Sequence, residues 1–201
     1  MDDEYYVNSP LVRSFIDHVL QAVSVEAKPE RRIELIRRSF ADLLAAEGWL
    51  PEEFARPHKM GGMGGDIGSY LLYRRDDTLS LMSLVVPAGS LTPIHDHLGW
   101  GLVGLYRGEQ HEEIYQPIHS PASHEVVLKL AEERRLKPGD FYSLLPPEGD
   151  IHRVRTTSPI PSISIHLLGN DIGCIRRHTF DPHANTMKDF RSGYSNVPCK
   201  E

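Results

Sequence analysis

The chain offers little that would tie it to a membrane, a nucleic acid or an oxidised scaffold. Its 201 residues include two cysteines, Cys174 and Cys199, too few for a disulfide framework. A reducing, cytoplasmic setting is the default expectation from that count, and neither thiol has a base beside it in sequence that would make it a nucleophile. No apolar run approaches the roughly 20 residues of a membrane helix. The acidic opening "MDDEYYVNSP" lacks the apolar core of a secretory signal. Positive charge is scattered and outnumbered: 22 Lys and Arg against 28 Asp and Glu leave a net charge of −6, so no basic face is available for nucleic acid. Also missing are a Walker loop, a Gly-x-Gly-x-x-Gly after a strand, a Gly-x-Ser-x-Gly elbow and a Cys-x-x-Cys pair. The "GGMGG" at 61–65 lacks both a preceding strand and a following Lys-Ser/Thr pair, so it reads as a flexible boundary rather than a phosphate cradle.

What is present is an ordinary globular composition, 40% hydrophobic and 25% charged, long enough for one domain with a real core. Residues 10–24 have Leu11, Phe15, Val19, Leu20 and Val23 at helical spacing, with Ser9 as N-cap and Pro10 in the first position. Residues 29–46 repeat the pattern through Ile33, Ile36, Phe40, Leu43 and Leu44, and Gly48 stops it. "LPEEF" follows as a short helical turn. From about residue 67 the period changes to short strands punctuated by Gly, Pro and Asp: "SYLLYRR", "LSLMSLVV", "GLVGLYRG", "HEEIYQP", "EVVLKLAEE", "FYSLLPP", "HRVRTT" and "SISIHLLG". Many short strands without long helices between them predict a mainly β jelly-roll barrel. The expected layout is a helical segment over 1–60, a barrel over 67–180 and an irregular tail over 181–201.

The chemistry concentrates in the histidines. In "TPIHDHLGWG", His95 and His97 are two apart, which on a strand puts both imidazoles on one face. They sit in a spaced frame: Gly89, five residues, His95-x-His97, three residues, Gly101, six residues, Gly108. A second frame runs from Gly139 through Pro147-x-Gly149-x-x-His152. His111 alternates with Glu109 and Glu113 and reads as a strand-edge residue.

The two frames resemble the paired motifs of the cupin superfamily, Gly-x5-His-x-His-x3-Glu-x6-Gly and Gly-x5-Pro-x-Gly-x2-His. The resemblance implies a double-stranded β-helix and a metal held by His95, His97 and His152. Two points depart from it: seven residues rather than five separate Gly139 from Pro147, and Gly101 stands where many cupins have a Glu ligand. Three neutral ligands would leave a divalent ion its full charge and adjacent open positions. Within the superfamily, "SLTPIHDHLGWGLVGLYRGEQHEEIY" is similar to the thiol dioxygenases, namely cysteine dioxygenase and bacterial 3-mercaptopropionate dioxygenase. Bacterial members commonly have Gly at the Gly101 position. "GDIHRV", "SISIH" and "SGYSN" also resemble the bacterial group.

That resemblance implies one Fe(II) per chain, O₂ as co-substrate and a small anionic thiol oxidised to a sulfinate. It assigns Ser164 and His166 to a hydrogen-bonded network beside the metal, and Arg177, in "CIRRHTF", to an anion anchor. Tyr70 and Trp100 are candidate pocket walls. Two family positions are changed. Leu168 stands where a Tyr hydroxyl is expected, and Ile67 and Ser69 stand where Tyr-x-Arg or Tyr-x-Gln is expected. Alternation puts Ser164, His166 and Leu168 on one strand face and Ile163, Ile165 and Leu167 on the other. The rival readings are a three-His oxygenase for a non-thiol substrate and a non-catalytic metal- or small-molecule-binding protein. A monomer or small homo-oligomer is expected, with no nucleic-acid or membrane partner.

Overall fold

The computed structural model describes residues 3–59, 62–119 and 126–200. Met60 and Gly61, at the start of the glycine-rich boundary, lie outside the described residues. Two helices lead: α1 (Pro10–Val25) and α2 (Pro29–Ala45), followed by a single 3₁₀ turn at Glu52–Phe54. Ser9 caps α1 by accepting the Val12 N–H at 3.2 Å, and both helices begin on proline. α2 buries Ile33, Ile36, Phe40, Leu43 and Leu44, the face its periodicity predicts. α1 is rotated from expectation: it buries Val12, Phe15, Ile16, Val19 and Ala22, and leaves Leu11 exposed.

Among the described residues there are twelve strands: β1 (Asp3–Tyr5), β2 (Gly68–Arg75), β3 (Leu79–Val86), β4 (Ile94–His95), β5 (Gly101–Arg107), β6 (Gln110–His119), β7 (Val126–Leu136), β8 (Phe141–Leu144), β9 (Ile151–Thr156), β10 (Ser162–Leu168), β11 (Arg177–Asp181) and β12 (Thr186–Phe190). They form two six-stranded sheets, ordered β1-β2-β3-β10-β5-β8 and β12-β11-β4-β9-β6-β7. β3 pairs β10, β4 pairs β9, β5 pairs β8 and β6 pairs β7, every pair antiparallel. This nesting is a long hairpin rolled up so that alternate pairs fall in opposite sheets. That is a jelly roll, the double-stranded β-helix of cupin-type folds.

Alternation along the strands divides the core in two. Ile163, Ile165 and Leu167 of β10 join Tyr70, Leu72, Leu81 and Val85 under the helices, in the larger apolar cluster. Leu168 joins Met82, Leu84, Val86, Val103 and Leu144 between the sheets. His95, His97, His166 and Arg177 line a cavity beside that inner cluster.

Two expectations need correction. The stretch after residue 180 is irregular only in part: Thr186–Phe190 form β12, which pairs β11, while residues 191–200 belong to no helix or strand and bond to β2 through Ser195 and Asn196. The N-terminal segment is not purely helical either, since β1 extends the first sheet at Asp3↔Arg75. In addition, Cys174 and Cys199 are joined in a disulfide across 25 residues of chain. Two cysteines that far apart carry no pairing signal in sequence, and the count alone misled. Among the described residues, no helix is long and apolar enough to cross a membrane.

Candidate metal centre

His95 lies on β4 and its backbone partner across the ladder is His152 of β9. His97 follows two residues after His95, just past the end of the strand. Ring centroids are separated by 4.7 Å for His95–His152, 4.8 Å for His97–His152 and 5.1 Å for His95–His97. One nitrogen from each ring lies within 4.8 Å of the other two, and all three residues are buried. The group could hold a metal ion.

The outward side of each ring fixes which nitrogen faces in. His95 Nδ1 meets the Pro93 carbonyl at 2.9 Å. His97 Nδ1 meets Asp150 Oδ1 at 3.1 Å, and His152 Nδ1 meets Glu112 Oε1. With each Nδ1 engaged by an acceptor, the proton sits there and Nε2 is free to coordinate. His152 Nε2 is buried without a hydrogen-bond partner among the described residues. An unsatisfied buried acceptor costs stability unless something binds it, so the donor set fits a metal.

Glu112 and Asp150 were not identified from sequence. Glu112 is 0% exposed on β6, and Tyr142 donates its hydroxyl to the same carboxylate oxygen. Burial pushes its pKa up, but His152 and Tyr142 outweigh that and hold it below the ordinary carboxylate range. Asp150 accepts the backbone N–H groups of His97 and Leu98, each at 3.0 Å, and so clamps the His95-x-His97 stretch to the second motif. Burial raises its pKa as well, and His97 with the two N–H groups brings it down. Burial drives the pKa of His95 well below the usual imidazole value, helped by His152, Arg177 and His97. That favours the neutral, metal-binding form.

A narrow cavity adjoins the histidines, lined by Met63, Ser69, Met82, Leu84, His166, Ile172, Arg177 and Ser192. Measured to the centre of a water it is about 10 Å³, room for roughly one such molecule. Arg177 is 3% exposed; it donates from Nη1 to the Asp96 carbonyl at 2.8 Å and from Nη2 to Ser192 Oγ at 3.1 Å. Its Nε has no partner, and no carboxylate lies within 4 Å of the guanidinium among the described residues. Burial lowers its pKa to about 10, with Asp96 and Asp150 acting against the drop, so it remains a cation at neutral pH. His166 lies 6.2 Å from His97 between ring centroids, and its Nε2 is 2.9 Å from Ser164 Oγ. Burial holds its pKa well below the usual value too.

Two expected wall residues lie elsewhere. Ser69 faces the cavity, so alternation turns Tyr70 to the opposite side of β2, where it packs on Phe54 and donates to the Arg56 carbonyl at 2.9 Å. Trp100 packs against the cluster under the helices, with the Arg32 guanidinium 5.5 Å from its ring. His111 lies on the outward side of β6, 3.2 Å from Glu133 Oε1.

No family model matches the chain. Solved structures with a similar course include an uncharacterized conserved protein with a double-stranded β-helix domain from Klebsiella pneumoniae. It is 16% identical, has a TM-score of 0.45, and the match covers 64% of this chain and 94% of that one. A cupin superfamily protein from Desulfitobacterium hafniense is 14% identical over 61% and 85% of the two chains, with a TM-score of 0.40. A Cupin 2 conserved barrel domain protein from Salinispora arenicola is 14% identical over 61% and 86%, with a TM-score of 0.41. Strand pairing, not these partial overlaps, defines the fold as a jelly roll.

Proposed function

We propose that the protein is a mononuclear iron dioxygenase that oxidises a small anionic thiol to its sulfinate, R–SH + O₂ → R–SO₂H. The observation that carries this reading is the placement of Arg177, a buried cation with an unpartnered N–H, in a cavity lined by His95 and His97 of a three-histidine cluster that includes no carboxylate. Iron held by His95, His97 and His152 would supply the redox chemistry of O₂ and a positive centre favouring the thiolate form of the substrate.

The chain's own groups account for the rest. Arg177 would take the substrate's carboxylate through the N–H groups it has not committed, and so fix the sulfur toward the histidines. Met63, Met82, Leu84 and Ile172 form an apolar wall that excludes water from the reacting end. Ser164 would orient His166, and Ser69 and Ser192 supply hydroxyls to the cavity wall, Ser69 standing level with Ser164 across β3 rather than with Leu168. The small cavity favours a substrate of few heavy atoms.

The test is oxygen uptake by iron-loaded protein offered cysteine, 3-mercaptopropionate, mercaptosuccinate or cysteamine. The expected result is turnover of one or more carboxylated thiols, with cysteamine at least 100-fold poorer in kcat/KM, the order of losing a charge-assisted pair. Uptake with none of them would remove the thiol reading. Preference for cysteamine would remove Arg177 as the anchor.

A further inference from the structure

The strand β12 belongs to one sheet, yet the residues after it bond to the other. Residues 191–199 therefore cross the open side of the roll, past the cavity. Ser192 at their start accepts from Arg177. Further on, Ser195 N–H donates to the Ser69 carbonyl at 2.6 Å, and Ser69 N–H donates to Ser195 Oγ at 3.0 Å. Leu71 N–H donates to Asn196 Oδ1 at 2.9 Å, and Asn196 Nδ2 returns a bond to the Leu71 carbonyl at 2.9 Å. These bonds cover the edge of β2 where Ser69 lines the cavity.

The far end of this segment is fastened covalently. Cys199 is joined to Cys174, which lies two residues after Ile172, another cavity-lining residue. The strap also docks on Gly173, where a Cβ would come within 2.5 Å of the Tyr194 ring, and Gly193 N–H donates to the Gly173 carbonyl at 2.8 Å. Both half-cystine residues are partly exposed.

We propose that Cys174–Cys199 is a redox-modification site that controls how tightly residues 191–199 close the cavity. The reacting partner is a dithiol. One of its thiolates attacks a sulfur of the protein disulfide to give a mixed disulfide. Its second thiolate then displaces the protein sulfur, so the dithiol leaves as a cyclic disulfide and the protein gains two thiols. Two electrons and two protons pass from dithiol to protein. Once cut, the strap keeps its hydrogen bonds, the packing of Tyr194 on Gly173 and the Lys200–Glu4 ion pair but loses its covalent tie, and the wall carrying Ser192 opens more often. The cavity as it stands has room for roughly one water, so any larger occupant needs such an opening. Only the consequence for substrate access rests on the function proposed above; the exchange and the loosening do not.

Hydrogen exchange of the full chain, before and after dithiothreitol, tests this. Closing a 25-residue loop constrains the segment by a factor on the order of 100. The amides of Ser69, Leu71, Gly193 and Ser195 are therefore expected to exchange up to about 100-fold faster after reduction, with those of α2 unchanged. A Cys199→Ser chain should show the fast rates with or without dithiothreitol. Unchanged rates in wild-type protein shown by alkylation to carry two free thiols would overturn the proposal. So would alkylation of both cysteines in air-equilibrated protein that has met no reductant. Faster exchange without thiol turnover in either state would leave the strap standing and remove the thiol chemistry.

Discussion

Gly101 and Leu168 face each other across the β5–β10 ladder, and the space one lacks is filled by the other. A Cβ on Gly101 would lie 2.6 Å from Leu168 Cδ2 and would overlap the Leu167 carbonyl oxygen. Two of the positions at which the chain departs from the patterns it resembles, the cupin carboxylate at 101 and the tyrosine hydroxyl at 168, are thus one packing arrangement. No side chain of any kind fits at 101, so the histidine cluster gains no carboxylate ligand from β5.

Gly101→Ala is accordingly expected to destabilise the fold by about 3 kcal/mol, a fall near 10 °C in Tm by thermal melting. Adding Leu168→Ala should not rescue it, because the backbone overlap with Leu167 remains. A full rescue would show that Leu168 alone excludes the side chain.

Glu112→Gln keeps an acceptor for His152 but removes the buried charge behind it. Metal affinity, read by competition with a chelator, should fall roughly 10- to 100-fold. The metal-free fold should lose about 1–3 kcal/mol, since the amide keeps an acceptor for His152 and Tyr142 but puts an unpartnered N–H group where the carboxylate had its free oxygen. A large drop in apo stability with unchanged affinity would make Glu112 a packing residue instead.

Arg177→Met should separate stability from activity. The guanidinium has no carboxylate partner but bonds the Asp96 carbonyl and Ser192 and lies 4.7 Å from the Phe190 ring, so Tm should fall by no more than a few degrees, relief of the buried charge offsetting part of the lost bonding. kcat/KM for carboxylated thiols should drop by about 100-fold while that for cysteamine stays put.

Acid should loosen the tie between Glu4 and Lys200. Lys200 and Arg74, in that order, pull the Glu4 pKa from 4.5 to about 2. The folded value is depressed, so its contribution is present above about pH 4.5 and is lost as pH falls toward 2. The Tm gap between wild type and Glu4→Gln should be constant above pH 5 and shrink below the unfolded pKa, about 4.3 for a glutamate. A gap that persists at pH 2 would contradict the pairing.

The helices and most barrel strands were legible from their apolar periods, though not the exact face of α1, and the grouping of the three histidines from their motif-like spacing. What alternation could not decide is which side of a strand faces in. On β6 it separates His111 and Glu113 from Gln110, Glu112 and Ile114. Both sets are polar enough to face water, so the buried Glu112 went unnoticed. Asp150 stood in plain view two residues before His152, but nothing local says that its carboxylate reaches His97 across the sheet. Tyr70 was misplaced by one residue, enough to turn a side chain from the cavity to the helices. The disulfide and the strap depend on contacts between residues far apart in the chain, which a single sequence does not record.

The account rests on three imidazoles sharing one ion. Anaerobic titration with ferrous salt, reading iron retained per chain after desalting, tests this most directly. Wild-type protein is predicted to retain one iron per chain, and His95→Ala, His97→Ala and His152→Ala each to retain almost none while keeping the wild-type circular dichroism spectrum. Wild-type protein that retains no iron, or a folded His152→Ala chain that retains a full equivalent, would contradict it.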